Sequence, residues 1–308
     1  MSTRTLLNLG LLVAAVTLAL VAWFKPGMKP VDVPRPIITR LTPNQVKSIL
    51  VERISRDPLR FGKRNGRWFL TAEDRELPAA DFQVRALLRL LQATASRHYP
   101  AGSLDLASLG LQPPQVHLTM DEVDINLGNT ESLDQQRYVQ VDDTVYLIDD
   151  QYQHLFNADW PSFVSRQLLE GRGAITRIAL PGMTLTSGDE GHWQLTPRQE
   201  GLSANALQTF VENWQNATAL LARRYEGDAA GATVTVQTRD SDQPLILRII
   251  SRKPDLVLAR PDWGIQYQMP LSEEDSLFTL PKAAPGPAAE PPAAPATSAA
   301  PPQAEPNP

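Results

Sequence analysis

Two stretches of this chain, more than a hundred residues apart, carry much the same residues in the same order, and that repetition constrains the fold more than any other feature. Val51–Thr71 reads VERISRDPLRFGKRNGRWFLT and Ile175–Thr196 reads ITRIALPGMTLTSGDEGHWQLT. Val51, Arg53 and Ile54 match Ile175, Arg177 and Ile178 at an offset of 124; Gly66, Trp68, Leu70 and Thr71 match Gly191, Trp193, Leu195 and Thr196 at 125. A chain built this way is expected to fold as two similar units.

Each stretch predicts short strands and a hairpin. Leu59 and Phe61 alternate with polar neighbours, and Asn65-Gly66 is a two-residue turn signal. A helix is expected next in each half. Val84, Leu87, Leu88, Leu91 and Ala95 form one apolar stripe, and Leu207, Phe210, Val211, Trp214 and Thr218 repeat its spacing. Asp81 and Ser203 stand where N-caps belong. The stripes align at an offset of 123, whereas the shared ATA (Ala93–Ala95, Ala217–Ala219) asks for 124; burial favours the stripe. Strands return as VHLTM, VDINLG, RYVQV and TVYLID, then as TVTVQ, LILRII, DLVLA and GIQYQM. The halves close on His154-Leu155-Phe156 and Ser276-Leu277-Phe278. The fold class is therefore α+β: antiparallel strands packed on one amphipathic helix in each unit, over 38–158 and 159–281, with Asp159–Gly173 a partly helical connector at the start of the second.

The ends differ from this body. Leu6–Phe24 is apolar except for Asn8 and Thr17, long enough to cross a bilayer, with Trp23 and Phe24 at the interface position. Residues 1–24 are read as an uncleaved signal anchor contacting lipid over 5–24, since a cut after Ala22 would place bulky Leu20 where a small residue is wanted. A count of Lys and Arg puts the body in the cytoplasm; the short head before the helix and the length of the body favour the periplasm of a bacterial inner membrane. Residues 25–37 read as a proline-rich stalk, and 282–308, with most of the ten prolines between Pro281 and Pro308, as a disordered tail.

Chemistry is sparse. The absence of cysteine excludes disulfides, thiolate metal sites, a cysteine nucleophile and a lipobox. Net charge is −5, so no basic field invites nucleic acid. No phosphate-binding loop, nucleophile elbow or zincin motif occurs. His98, His117, His154 and His192 lack metal-ligand spacing, with His98 expected at a helix end. Asp142-Asp143 reads as a turn, and Asp149-Asp150 and Glu273-Glu274-Asp275 lack a calcium-site pattern. No catalytic, cofactor-binding or metal-binding residue, and no cofactor, is predicted. Arg97-His98-Tyr99 and Arg223-Arg224-Tyr225 are expected to close the two helices, which makes Arg97, Tyr99, Arg223, Arg224 and Tyr225 the candidate partner contacts.

The order of apolar anchor, V/I-x-x-I strand, GRWFLT-type strand and amphipathic helix resembles the bacterial domain-of-unknown-function 4340 family. So do LASLGLQPP (Leu106–Pro114), INLGN and RYVQVDDTVYLID, above all Gly110-Leu111, Leu127-Gly128 and Tyr138-Val139. The resemblance spans roughly Ile38–Pro281. It implies a membrane-anchored protein, with some relatives associated with ABC-type export, and no catalytic residue to carry over. The expected function is a non-catalytic accessory or interaction protein with a membrane-protein partner. The alternatives are a binding protein for a lipid or envelope polymer, with its groove between the units, and an acid-dependent envelope hydrolase.

Overall fold

The computed structural model describes residues 3–24, 35–132, 134–188, 191–227 and 231–281. The tail predicted at 282–308 and most of the stalk lie outside them. The body is α+β, with two antiparallel sheets and few helices.

The first sheet contains β1 (Ser48–Arg53), β2 (Arg56–Arg64), β3 (Arg67–Ala72), β4 (Arg75–Pro78), β5 (Ala95–Pro100), β6 (Val116–Met120), β7 (Val123–Thr130), β8 (Gln136–Val141) and β9 (Thr144–Asp149). Their spatial order is β4-β3-β2-β1-β6-β7-β8-β9-β5. The second sheet contains β10 (Ile175–Leu180), β11 (Met183–Ser187), β12 (Trp193–Thr196), β13 (Leu221–Arg224), β14 (Thr233–Thr238), β15 (Leu245–Ser251), β16 (Val257–Arg260) and β17 (Ile265–Gln268). Its order is β12-β11-β10-β14-β15-β16-β17-β13. With β4 set aside, the two orders are the same.

Local chemistry explains the elements. The β2–β3 hairpin turns on Asn65 (φ 49°) and Gly66 (φ 79°), the pair of positive angles that a two-residue turn matching strand twist requires. Helix α2 (Asp81–Leu88) follows β4, and α4 (Ala204–Asn216) follows β12. The side chain of Ser203 caps α4, accepting from the Ala206 N–H at 3.1 Å. Asp81 instead occupies the first helical position, with Ala80 at the cap and no side-chain bond.

Both repeat registers hold, in different places. Val84, Leu87, Leu88 and Leu91 are buried, as are Leu207, Phe210, Val211 and Trp214, which is the offset of 123. At Ala93 and Ala217 the offset becomes 124: Ile38 N–H donates to Ala93 O and Leu168 N–H to Ala217 O. The missing residue is absorbed by a 3-10 segment, Arg89–Gln92, that ends the first helical run. A 3-10 turn rises about 2.0 Å per residue against about 1.5 Å in an α-helix, so fewer residues cover the same length.

Several expectations need correction. The helices stop at Leu88 and Asn216, so Ala95 begins a strand and Thr218 lies beyond its helix. Arg97, His98 and Tyr99 lie on β5, and Arg223 and Arg224 on β13, each the last strand of its sheet. These residues close no helix; the apolar period runs on past each helix into residues that a sheet edge recruits. The match of Ile54 with Ile178 also fails. Ile54 sits in the turn after β1 and is 60% exposed, whereas Ile178 is central in β10 and fully buried. The tryptophan match survives, since Trp68 and Trp193 both occupy the third strand of their unit. Trp68 is buried, while Trp193, on an edge that no counterpart of β4 covers, is only partly so.

The units share a core. One contiguous apolar cluster includes residues of both sheets, α2, α4, α3 (Gln153–Asn157) and α5 (Glu273–Phe278). The connector threads it, burying Trp160, Phe163, Val164, Leu168 and Leu169, and Phe163 meets Phe61 edge-on with centroids 5.5 Å apart. The connector also pairs with both sides. Ala79 bridges Val164, and Ser165 N–H donates to Pro78 O; Gln167 bridges Thr218, and Ala219 N–H donates to Arg166 O.

Helix α1 (Thr3–Phe24) has 22 residues, with side chains described over Gly10–Leu20. Among the described residues no helix is long and apolar enough to cross a membrane. The eleven residues 10–20 rise about 16 Å at 1.5 Å each, half of a hydrocarbon layer.

Candidate functional site

The seam between the units opens into a cleft of about 900 Å³. It forms where the β1–β2 turn, the 3-10 segment Trp160–Phe163 and β13 converge. Four arginines line it (Arg53, Arg56, Arg223 and Arg224), with Asp57, Asp159 and Glu226.

Arg53 follows Ile49 and Val51 on the core-facing register of β1. Its Nη1 donates to Ala158 O at 2.6 Å and Phe156 O at 3.3 Å, and its Nη2 to Asp57 O at 2.7 Å. Partial burial, then the neighbouring Arg56, lower its pKa. Arg56 donates to Asn157 O at 2.8 Å and pairs with Asp159 at 3.0 Å. Arg224 pairs with Glu73 of the first sheet at 2.6 Å and lies 5.9 Å from the Trp160 ring centroid. Arg223 is exposed and makes no ion pair with any described residue. The cleft thus has two arginines engaged in ion pairs, one tied to backbone carbonyls, and one cation available to a visitor.

Of the five predicted contacts, Arg223 and Arg224 line this cleft. Tyr225 follows them, its backbone N–H donating to Gly264 O at 2.9 Å. Arg97 and Tyr99 lie at the β5 edge, where Arg97 pairs with Glu131 at 3.1 Å and Asp134 at 3.2 Å. The two basic-aromatic segments are therefore not brought together. Sequence reasoning missed Arg53 and Arg56; the available signal was an arginine in the apolar register of a strand.

A second seam cleft, of about 790 Å³, includes Trp68, Phe82, Arg260 and Trp263 among its lining residues. Arg260 is buried, donates to Leu168 O at 2.9 Å, and lies 3.2 Å from the Trp263 ring centroid. Burial lowers its pKa. Tyr267 donates to Ser165 O at 2.9 Å, and burial pushes its phenol up. Both side chains hold the connector. The acidic pair Asp149-Asp150 is divided: Asp149 is exposed, while Asp150 forms an ion pair of 2.8 Å with Arg137, both side chains being about 5% exposed. Among the described residues no group of three or more His, Cys, Asp or Glu is placed to hold a metal ion.

The family described as "Domain of unknown function (DUF4340)" matches residues 68–235. The chain belongs to this family. The match runs from β3 to β14, so the DUF4340 span crosses the seam and contains the whole connector. Its motif residues have structural work: Gly110 adopts φ +68° against Asn129, and a Cβ on Gly128 would strike the Leu109 carbonyl oxygen. Asn129 N–H donates to Leu109 O at 2.8 Å, docking the Leu106–Pro114 loop on β7. No curated protein and no solved structure matches the chain.

Proposed function

We propose that this DUF4340 protein is a non-catalytic accessory subunit, anchored by α1 in a bacterial inner membrane with its body in the periplasm, that grips a membrane-protein partner through the arginine-lined seam cleft. The single observation that carries this reading is the cleft itself: it is walled by both units and offers Arg223, which has no ion-pair partner among the described residues, next to Arg224, whose guanidinium lies 5.9 Å from the Trp160 ring centroid. An exposed arginine beside an aromatic face is a common anchor of protein interfaces. The strand orders, the same once β4 is set aside, support a duplicated unit, and a duplicated body with a seam is a natural clamp. Leu11, Leu12, Val13, Val16, Leu18 and Leu20 of α1 are exposed in the isolated chain, which suits a helix whose apolar surroundings are lipid. An ABC-type exporter is the partner class proposed. Charged side chains dominate the cleft, so an acyl chain is a poor fit, and the Asp159 carboxylate is exposed and paired with Arg56.

The test is site-specific photocrosslinking in native membranes. A photoreactive residue at position 223 is expected to yield one discrete adduct with a membrane protein, abolished by Arg224→Glu, while the same group at the exposed Glu122 on the β6–β7 turn yields none. Equal labelling from both positions, or no adduct at all, refutes the reading.

A further inference from the structure

We infer that the exposed face of α2, with the segment that leads into the body, is a docking surface for the anionic headgroups of the same bilayer. The inference rests on the anchor reading above.

Charge is segregated along the first unit. Residues 35–100 contain thirteen Lys and Arg against six Asp and Glu, whereas 101–150 contain one Arg against ten Asp and Glu. The sheet keeps part of this division: β4, β3, β2 and β1 lie together on one side, and β6 to β9 with their acidic turns on the other, where β5 brings Arg97 to the acidic edge and pairs it with Glu131 and Asp134. The −5 of the whole chain conceals this polarity.

Within the basic part, α2 and the 3-10 turn that continues it present Phe82, Arg85 and Arg89 to solvent, at positions that fall on one side of the helical run, with Asp81 of the same face 3.8 Å from Arg85. Phe82 is 58% exposed, and the Arg89 guanidinium lies 5.9 Å from its ring centroid. A large aromatic flanked by arginines is the composition of an interfacial membrane contact: the ring enters the headgroup boundary and the cations meet phosphates.

The chain path places this surface near the tether. Pro36–Ile38 lies along Ala93–Ala95, just after the helical run that contains Arg89: Ile37 bridges Thr94, and Ala95 N–H donates to Pro36 O at 2.9 Å. Arg35 and Arg40 are exposed there, as is Ile37 at 55%. Ten residues, 25–34, separate this point from the end of α1, a span of at most about 35 Å. A short tether keeps the basic face close to the bilayer, where each arginine strengthens docking roughly fivefold.

The full chain is cysteine-free, so a single Ile37→Cys, an uncharged and exposed position on the segment that leads into the body, carries an environment-sensitive fluorophore at a unique position. It is reconstituted into nanodiscs of phosphatidylcholine alone or enriched in phosphatidylglycerol. The expected result is a blue shift in anionic discs only, reversed by high salt. Adding Arg85→Gln and Arg89→Gln is expected to lower the docking equilibrium about 25-fold. Because Arg89 lies near the partly buried Tyr152, the pair Arg40→Gln and Arg85→Gln, both at exposed positions, serves as the second variant. Identical emission in neutral and anionic discs, or a shift that survives both double variants, overturns the docking surface. Failure to enter discs of any composition overturns the anchor itself, a separate and recognisable outcome.

Discussion

Removing Asp150 tests how the first unit is held together. Arg137 follows the core-facing register of Val139 and Val141 on β8, so its guanidinium is delivered into the apolar interior. Its Nη2 pairs with Asp150 at 2.8 Å and its Nη1 donates to Gly128 O at 2.7 Å, while Thr130 donates to the same carboxylate oxygen at 2.5 Å. Asp150→Ala leaves a buried cation with one carbonyl for company. Breaking a buried pair from one side costs about 3–5 kcal/mol, which in a body of this size lowers the melting temperature by about 6–20 °C. Two buried atoms, Arg137 Nε and Asp150 Oδ1, have no hydrogen-bond partner, so the pair is incompletely satisfied. The double variant Arg137→Met, Asp150→Leu is therefore expected to be more stable than either single one. The pH dependence follows from the carboxyl. Burial pushes its pKa up, but Arg137 and Thr130 outweigh that and hold it below its ordinary value. Its contribution is then fully present above the unfolded pKa of about 3.9 and is lost as pH falls through the lower folded value. Thermal melts of the full chain in detergent, followed by circular dichroism from neutral pH down to the acid limb, measure all of this. A loss under about 1 kcal/mol on Asp150→Ala, or an unchanged acid limb, would refute the account.

Ser203→Ala, which removes the α4 cap, should cost about 1 kcal/mol, while Asp81→Ala, with no cap bond to lose, should cost clearly less in the same melts. Gly128→Ala should destabilise by about 1–3 kcal/mol through overpacking against the Leu109 carbonyl, and hydrogen exchange should localise the loss to the Leu106–Pro114 loop. Tyr267→Phe should cost about 1 kcal/mol through the lost bond to Ser165 O. Its phenol has a raised folded pKa, so its contribution is present below the unfolded pKa of about 10 and is lost as pH climbs through the folded value. Spectrophotometric titration should then find one tyrosine that ionises only on unfolding.

Much of the strand content was legible because burial on one face writes period two into the residues, as RYVQV and TVTVQ show. The Asn65-Gly66 and Asp142-Asp143 turns were legible for local reasons as well: each joins adjacent paired strands. What misled was similarity of letters without similarity of environment. Ile54 and Ile178 share an arginine neighbour and nothing else, because the hairpin following β1 turns earlier relative to that arginine than the one following β10. The helix ends were overrun for a related reason: Ala95 continues the apolar period of α2 but is claimed by hydrogen bonding to Pro36. The cleft was half legible. Arg223 and Arg224 were found by their repeated context, whereas Arg53 carried only the faint signal of an arginine in the apolar register of β1 and Arg56 carried none, so that tertiary closure alone shows that the four meet.

The connector has a further consequence for where this body can be cut. Ala217 and Ala219, beside the first strand after α4, take their backbone partners from Leu168 and Arg166, just as Ala93 and Ala95 take theirs from Ile38 and Pro36. Each unit thus wears a strap supplied by the residues upstream of it, and the strap of the second is also stitched to Pro78 in the first. A fragment begun at Ile175 would arrive bareheaded, with amides exposed and Leu168 missing from its interior. One begun before Ser165 would bring the strap but leave the other face of that strap searching for a neighbour. A third copy would need more than another strap, because the second sheet ends at β12 and offers no counterpart of the β4 end at Pro78 to which the existing strap is stitched.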